Sequence, residues 1–333
     1  MKSVFLCNHP GVLRSVFDEE SMARAKALFG VDEKVYTKRM LMAEPEKFKD
    51  TEYIFSTWGM PVLTGKEVDA LFPSLKCIFY AAGTVQKFAR PFLKRGVRVF
   101  SAWAANAVPV AEFTVAEIIL AGKGFFPQSR LMSRGEQERA RRGVNKYDGN
   151  YKGRVGLIGC GMIGSLVAEL LKQYKLEVLV YDPFVSDEKL SALGARRASL
   201  DEIFSSCKVV SNHLPNKKET QKMFGEKLFS SMPRNSSFIN TARGHQVDED
   251  ALVRVLERRK DITALLDVTY PEPARADHPF FSLPNCYLTP HIAGSRAKEV
   301  VRMSEYIMDE AERYINNAPC KYEVTLEMLK TMA

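Results

Sequence analysis

The run Arg154-Val-Gly-Leu-Ile-Gly-Cys-Gly-Met-Ile-Gly164 constrains the fold more than any other segment of this chain. Val155 to Ile158 is a short apolar run of the kind that forms a buried parallel strand. It feeds Gly159-x-Gly161-x-x-Gly164 and then an apolar-periodic stretch, Ser165 to Tyr174, which predicts a helix. A second apolar run, Val178 to Tyr181, ends at Asp182, 18 residues past the last glycine. Strand, glycines, helix, strand and terminal acid in this order predict a dinucleotide-binding unit. Gly159 permits the tight turn, Gly161 lets the backbone approach a pyrophosphate, and Gly164 lets helix and strand pack closely. Cys160, Met162 and Ile163 occupy the variable positions beside the ligand, Cys160 as a small packing residue. The helix N-terminus offers N–H groups and a positive dipole end to the phosphates. Asp182 can accept the ribose hydroxyls and repel a 2′-phosphate, and Pro183-Phe184-Val185 supply no arginine, so NAD(H) is the expected cofactor.

A chain of 333 residues is long enough for two domains, each with its own core. Hydrophobic residues at 46% and charged residues at 26% exclude a disordered chain. No apolar run is long enough to cross a bilayer, so no membrane partner is expected. Met1 to Pro10 has too short an apolar core for a signal peptide and reads as a first buried strand, which predicts a cytoplasmic protein. The cysteines at 7, 77, 160, 207, 286 and 320 form no C-x-x-C pair and read as free thiols, with no disulfide framework and no metal site. The net charge of +8 is compatible with an anionic cofactor and substrate. The densest basic stretch, Arg130 to Lys146, is interrupted by Glu136 and Glu138 and carries no interleaved aromatics, so it reads as a solvated or subunit-contacting face, not a nucleic-acid site.

Strand-like runs alternate with helical stretches, which predicts an α/β fold of two doubly wound parallel sheets. The first set of strands is Val4–Leu6, Val35–Thr37, Tyr53–Thr57, Cys77–Ala81 and Val97–Ser101. The second is Val155–Ile158, Val178–Tyr181, Lys208–His213, Ser237–Asn240, Thr263–Val268 and Cys286–Leu288. Between them Asn106 to Ala121 predicts a helix with Asn106 as N-cap and Pro109 in its first turn. A second long helix, Arg296 to Asn316, suggests that the chain returns to the first domain. The expected domains are 1–104 plus 296–333 and an inserted dinucleotide-binding domain at 105–295, with the active cleft between them.

Three polar residues follow three of the second set of strands. Arg243 follows Phe238-Ile-Asn-Thr-Ala, Glu272 lies in the loop after Leu265-Leu-Asp267, and His291 follows Tyr287-Leu-Thr-Pro. In a parallel sheet these ends share the edge where the nucleotide sits. Singly, each has an ordinary reading as an ion-paired, exposed or helix-capping residue. Together, beside a dinucleotide, they point to carbonyl chemistry. Arg243 can hold a carboxylate with two parallel hydrogen bonds and polarise a carbonyl. An imidazole at His291 can give or take the hydroxyl proton. Glu272 can accept from the other ring nitrogen and favour imidazolium. His213, at the end of Lys208–His213, reads as a backbone-shaping residue near the cofactor.

These segments resemble the D-isomer-specific 2-hydroxyacid dehydrogenases. The resemblance is carried by 155–164, Asn212-His-Leu-Pro215, Asn240-Thr-Ala-Arg-Gly244 with Val247-Asp-Glu249, Leu266-Asp-Val268 with Glu272-Pro273, and Asp277-His-Pro279 leading to Thr289-Pro-His-Ile-Ala-Gly294. It implies a flavodoxin-like substrate domain beside a Rossmann NAD-binding domain. It also implies that Arg243, Glu272 and His291 are the substrate arginine and the acid–base pair. Asp267 would help hold the nicotinamide carboxamide. His213, Leu214, Pro215, Thr241, Ala242 and Gly294 would line the cofactor. Members of the family are commonly dimers joined through the nucleotide domain, so a homodimer is expected. The first domain matches less closely. Cys77-Ile-Phe-Tyr-Ala-Ala82-Gly83-Thr84 resembles the loop whose N–H groups cradle a substrate carboxylate, but Gln86-Lys87-Phe88 replaces the usual continuation. Ser56-Thr-Trp58-Gly-Met60 stands where the substrate pocket is lined and contains no Arg or Lys. A small to medium, unphosphorylated 2-oxoacid and its D-2-hydroxyacid follow, with Trp58 and Met60 as an apolar wall and Tyr80 nearby.

The main alternative is a non-catalytic NAD(H)-sensing protein of the corepressor kind, since that fold is shared. Retention of arginine, glutamate and histidine together argues against it. A formate-dehydrogenase-like enzyme is a second alternative; that branch carries glutamine as the histidine's partner, whereas Glu272 supports a proton-transferring pair.

Overall fold

The computed structural model describes residues 2–330. The chain divides into two compact units, Met1–Asn106 with Ser295–Ala333, and Ala107–Gly294.

The first unit holds a six-stranded sheet. Its strands are β1 (Ser3–Leu6), β2 (Val35–Tyr36), β3 (Tyr53–Ser56), β4 (Cys77–Tyr80), β5 (Arg98–Ser101) and a late addition, Glu323–Val324. The late strand pairs antiparallel with β5, whereas β1 to β5 are all parallel, in the order β5-β4-β3-β1-β2. Every residue of β1 and β4 is buried, as expected for strands covered by helices on both faces. Phe55, Phe79 and Phe100 stack across neighbouring strands, with centroids 5.1 and 5.3 Å apart. The helix Val301–Ile315 packs Met303, Ile307, Met308 and Ala311 against this core.

The second unit holds a seven-stranded, wholly parallel sheet of β6 (Arg154–Ile158), β7 (Glu177–Tyr181), β8 (Ala195–Arg197), β9 (Val209–Asn212), β10 (Ser237–Asn240), β11 (Thr263–Leu266) and β12 (Cys286–Leu288). The order is β12-β11-β10-β9-β6-β7-β8. It reverses between β6 and β9, which is the switch point where open α/β sheets bind nucleotides. The last strand of the chain, Glu323–Val324, is β13 in chain order.

Three details differ from the sequence expectation. β8 is an edge strand of Ala195-Arg-Arg197, too polar to read as a buried run. β13 is only two residues long. Asn106, directly before the helix Ala107–Gly122, turns its Oδ1 to the Ser295 N–H, which donates to it at 3.0 Å.

Candidate active site

The glycine turn is built as close packing demands. Gly159 has φ +93°, and a Cβ there would lie 3.0 Å from the carbonyl of His213. A Cβ at Gly164 would run into the Gly159 carbonyl, so the helix Met162–Leu171 comes too near the turn for any side chain. A Cβ at Gly161 would meet nothing within 4 Å, so this face of the turn is open to a ligand. Cys160 is 4% exposed and its Sγ faces the Ser165 hydroxyl, in keeping with a packing role. Its N–H donates to Asp182 Oδ2 at 2.7 Å. Asp182 Oδ1 accepts from the N–H groups of Phe184 and Val185. The acid thus closes the strand end into a turn. Arg197, on β8, is a residue that the sequence reading missed. Its guanidinium donates to the carbonyls of Asp182 and Val185, each at 2.5 Å, and to Asp187. A cation therefore lies beside the Asp182 turn, brought there by the third strand and not by the turn itself. Strand, open glycine turn, helix N-terminus and closing acid fit a dinucleotide.

His213 is buried behind the turn, 9% exposed. Burial pushes its imidazole down to about 4, and neither ring nitrogen has a hydrogen-bond partner. The neutral ring is the form that this burial favours. Leu214 and Pro215 follow at the rim. Their loop is tied to the next by buried amides that were not singled out from the sequence. Asn212 Nδ2 donates to Asn240 Oδ1 at 3.0 Å and to Gln246 Oε1 at 2.6 Å. Gln246 Nε2 donates to the carbonyls of Leu214 and Pro215. Asn240 Oδ1 accepts from Ala242 N–H, and its Nδ2 donates to the Arg243 carbonyl. All three amide side chains are 0% exposed, so the network holds the two loops rigidly. Thr241 shares a hydrogen bond with Thr114 at 3.1 Å, which anchors the same loop to the Ala107–Gly122 helix. The paired asparagines at the ends of β9 and β10 were the available signal.

Arg243 projects from this braced loop into solvent. Its one side-chain hydrogen bond goes to the carbonyl of Ala242, and among the described residues no carboxylate lies within ion-pair distance. Such a guanidinium retains the donors for an incoming anion.

His291 Nδ1 lies 2.5 Å from Glu272 Oε1. The two side chains are 43% and 39% exposed, on loops that follow the adjacent strands β12 and β11. His291 has φ +54°, a left-handed conformation that costs a non-glycine residue about 1–3 kcal/mol and persists only when the surroundings impose it. Asp267 imposes it. Its carbonyl accepts the His291 N–H at 3.0 Å. Its buried carboxylate accepts from Thr289 Oγ1 at 2.5 Å, Ile292 N–H at 2.8 Å and Ala293 N–H at 2.9 Å. Asp267, expected at the nicotinamide, has its acceptors engaged chiefly in building the turn that aims His291. Gly294 ends this turn and the unit. A pocket of about 670 Å³ opens along Asp267, Thr269, Glu272, Pro273, Leu288 and His291.

In the first unit, the expected substrate residues separate. Ala82 departs from its expected role: it is 0% exposed and its N–H donates to the Tyr80 carbonyl, because the chain turns tightly out of β4. Gly83 and Thr84 form the more accessible part of that loop, and the Ser101 hydroxyl pins the carbonyls of Ala82 and Gly83. Trp58 is 40% exposed, but Met60 and Tyr80 are 7% and 5% exposed and belong to the core, so of the three residues expected at an apolar wall only Trp58 is accessible. Among the described residues, no group of His, Cys, Asp and Glu could hold a metal ion, and no helix is long and apolar enough to cross a membrane.

The model of the D-isomer specific 2-hydroxyacid dehydrogenase NAD binding domain matches residues 115–293. A D-3-phosphoglycerate dehydrogenase of Archaeoglobus fulgidus is 31% identical over 71% of this chain, which spans 44% of that relative's length. A glyoxylate reductase of Korarchaeum cryptofilum is 28% identical over 84% of this chain and 83% of its own. The structure of a Staphylococcus aureus NAD-dependent formate dehydrogenase in complex with NAD superposes with a TM-score of 0.66 at 26% identity, over 96% of this chain and 97% of that one. The geometry of the glycine turn, the Arg243 loop and the Glu272–His291 pair thus falls within a matched region: the chain belongs to the D-isomer-specific 2-hydroxyacid dehydrogenase family, with NAD as its cofactor.

Proposed function

We propose that this chain is an NAD(H)-dependent oxidoreductase that interconverts a small to medium, unphosphorylated 2-oxoacid and its D-2-hydroxyacid. The observation that carries the reading is the Glu272–His291 contact at 2.5 Å, with the exposed Arg243 on a loop of the same sheet edge. Bound NADH supplies the hydride that reduces the carbonyl carbon. Arg243 holds the substrate carboxylate and polarises the carbonyl oxygen with parallel N–H donors. His291 gives its Nε2 proton to that oxygen as it gains negative charge. Glu272 accepts from Nδ1, which fixes the ring orientation and stabilises the protonated imidazole. Oxidation runs the same steps in reverse. Trp58, Gly83 and Thr84 of the first unit are assigned to the substrate, Trp58 toward its side chain.

A non-catalytic NAD(H) sensor would bind the same cofactor but has no need of an oriented acid–base pair. A homodimer joined through the nucleotide unit is supported by the exposed Phe125, Met132, Val144 and Tyr151. Six free cysteines support a reducing, cytoplasmic setting. The test is NADH oxidation with a panel of 2-oxoacids graded by side-chain size, with 3-phosphohydroxypyruvate included. Turnover of unphosphorylated oxoacids is expected. Preference for the phosphorylated one would overturn the substrate class, and NADH binding without turnover of any member would favour the sensor.

A further inference from the structure

Two motif segments have no part in the chemistry above: Val247-Asp-Glu249 and Asp277-His-Pro279. The fold joins them. His278 Nε2 lies 3.2 Å from Glu249 Oε2, and the two side chains are 9% and 10% exposed. His278 Nδ1 accepts the Phe280 N–H at 3.3 Å, so the ring proton sits on Nε2 and points at the carboxylate. The other oxygen, Glu249 Oε1, accepts the Tyr270 N–H at 2.8 Å. Tyr270 is two residues before Glu272, on the same loop.

The loop is gripped from its other side as well. A Cβ at Gly244, next to Arg243, would collide with the backbone of Thr269 and Tyr270, so these two loops touch backbone to backbone. The His245 ring packs against Tyr270, tilted by 36° with centroids 3.5 Å apart. Glu249 begins the helix Glu249–Arg258, whose N-cap Asp248 accepts from the Ala251 N–H. A rigid helix start therefore carries the carboxylate that holds the Glu272 loop.

We propose that Glu249 and His278 are positioning residues that hold the 269–275 loop so that Glu272 meets His291. The inference rests on the proposed acid–base role of Glu272. Hydrogen-bond polarity makes the hold specific. Both Glu249 oxygens receive protons, and both His278 nitrogens are committed, one as donor and one as acceptor. A glutamine at 249 can serve Tyr270 or His278, but not both, because its NH₂ end would face an N–H. An asparagine at 278 can still accept from Phe280 N–H, but it no longer reaches Glu249.

The experiment compares Glu249→Gln, His278→Asn, Glu272→Gln and the double variant Glu249→Gln/Glu272→Gln. Each is measured for NADH affinity by fluorescence, thermal midpoint, and kcat and KM for the best 2-oxoacid across pH. Misplacing a catalytic group by about 1 Å can cost ~10²-fold, so kcat in Glu249→Gln and His278→Asn should fall by about 10-fold to 10²-fold, with NADH affinity kept. Their pH profiles should move in the same direction as that of Glu272→Gln. The double variant should be little worse than Glu272→Gln alone, since residues acting through one group are not additive. Normal kcat in both Glu249→Gln and His278→Asn, with Glu272→Gln impaired, would overturn this inference alone. So would full additivity in the double variant, or a loss of NADH affinity and thermal midpoint with kcat unchanged. Unchanged kinetics in Glu272→Gln would overturn the acid–base assignment and this inference with it.

Discussion

Asp267 and His291 are joined backbone to backbone: the Asp267 carbonyl accepts the His291 N–H at 3.0 Å, while the Asp267 carboxylate holds the next two N–H groups of the same turn. The left-handed His291 is the product of this arrangement. Its imidazole is thereby aimed at Glu272 by a buried acid just past the end of β11. A histidine on a loop thereby acquires a fixed direction, which is what the proposed proton transfer at a single substrate atom requires.

His291→Ala should lower kcat for oxoacid reduction by ~10²–10⁴-fold, the usual contribution of a positioned acid. NADH binding, measured by fluorescence titration, should persist, because the glycine turn and Asp182 are untouched. Glu272→Gln should lower kcat for reduction, since a neutral amide replaces the carboxylate that accepts from the ring and fixes its direction. Near-normal turnover in His291→Ala would refute its assignment.

Arg243→Lys should raise KM and lower kcat for a 2-oxoacid together. Lysine keeps the charge but not the planar pair of donors. No carboxylate holds Arg243 among the described residues, so the thermal midpoint should change little. A lowered midpoint with unchanged kinetics would instead assign Arg243 to the fold.

The strands of both sheets, apart from β8 and β13, were legible because buried parallel strands are continuous apolar runs, and the glycine turn because its spacing is set by close packing. What the chain did not reveal depends on partners distant in sequence. Arg197 sits in a polar edge strand, yet it ends beside Asp182. The Asn212, Asn240 and Gln246 network is an ordinary set of amides until two loops converge. Asp267 resembled a cofactor ligand, and only the folded turn reveals how many of its acceptors face the backbone around His291. Met60 and Trp58 are two positions apart in one run, and local sequence cannot tell which of them turns inward.

Asp182→Ser should narrow the preference for NADH over NADPH, measured as the ratio of kcat/KM values. The carboxylate repels a 2′-phosphate, and Arg197 is already at the turn to meet one. Asp187 is the only carboxylate in ion-pair contact with Arg197 among the described residues, so adding Asp187→Asn should increase the use of NADPH further. Unaltered cofactor preference in both variants would exclude Asp182 as the discriminating group.

Glu117, on the Ala107–Gly122 helix, supplies a pH test of the fold. Burial, with a smaller contribution from Asp267, pushes its carboxyl up to about 8, and its Oε2 is buried without a partner. A carboxyl raised in the folded state binds its proton more tightly there than in the unfolded chain. Its contribution to stability is therefore present at low pH and lost as pH rises from the ordinary carboxyl range toward about 8. Glu117→Gln removes the ionisation. Its thermal midpoint should fall less than that of the natural protein between about pH 5 and pH 9. Parallel curves for the two proteins would show that Glu117 is ionised or hydrated in solution.

Trp58 separates the substrate reading from a packing one. It is 40% exposed, while its loop neighbour Met60 is 7% exposed and lies in the core. The Trp58 carbonyl accepts from Cys7 Sγ at 3.2 Å, so the backbone is anchored while the indole is left partly in solvent. Removing an exposed ring costs little stability, and Trp58→Ala should keep its thermal midpoint. Apolar pockets discriminate a methylene by only ~1–3 kcal/mol, so the effect should be a change of ranking among oxoacids, with the bulky and aromatic ones losing most kcat/KM. KM should carry most of the change, because the proposal sets the ring against the substrate side chain and not the reacting carbonyl. An unchanged ranking would remove Trp58 from the substrate site, and a sharply lowered midpoint would return it to the core.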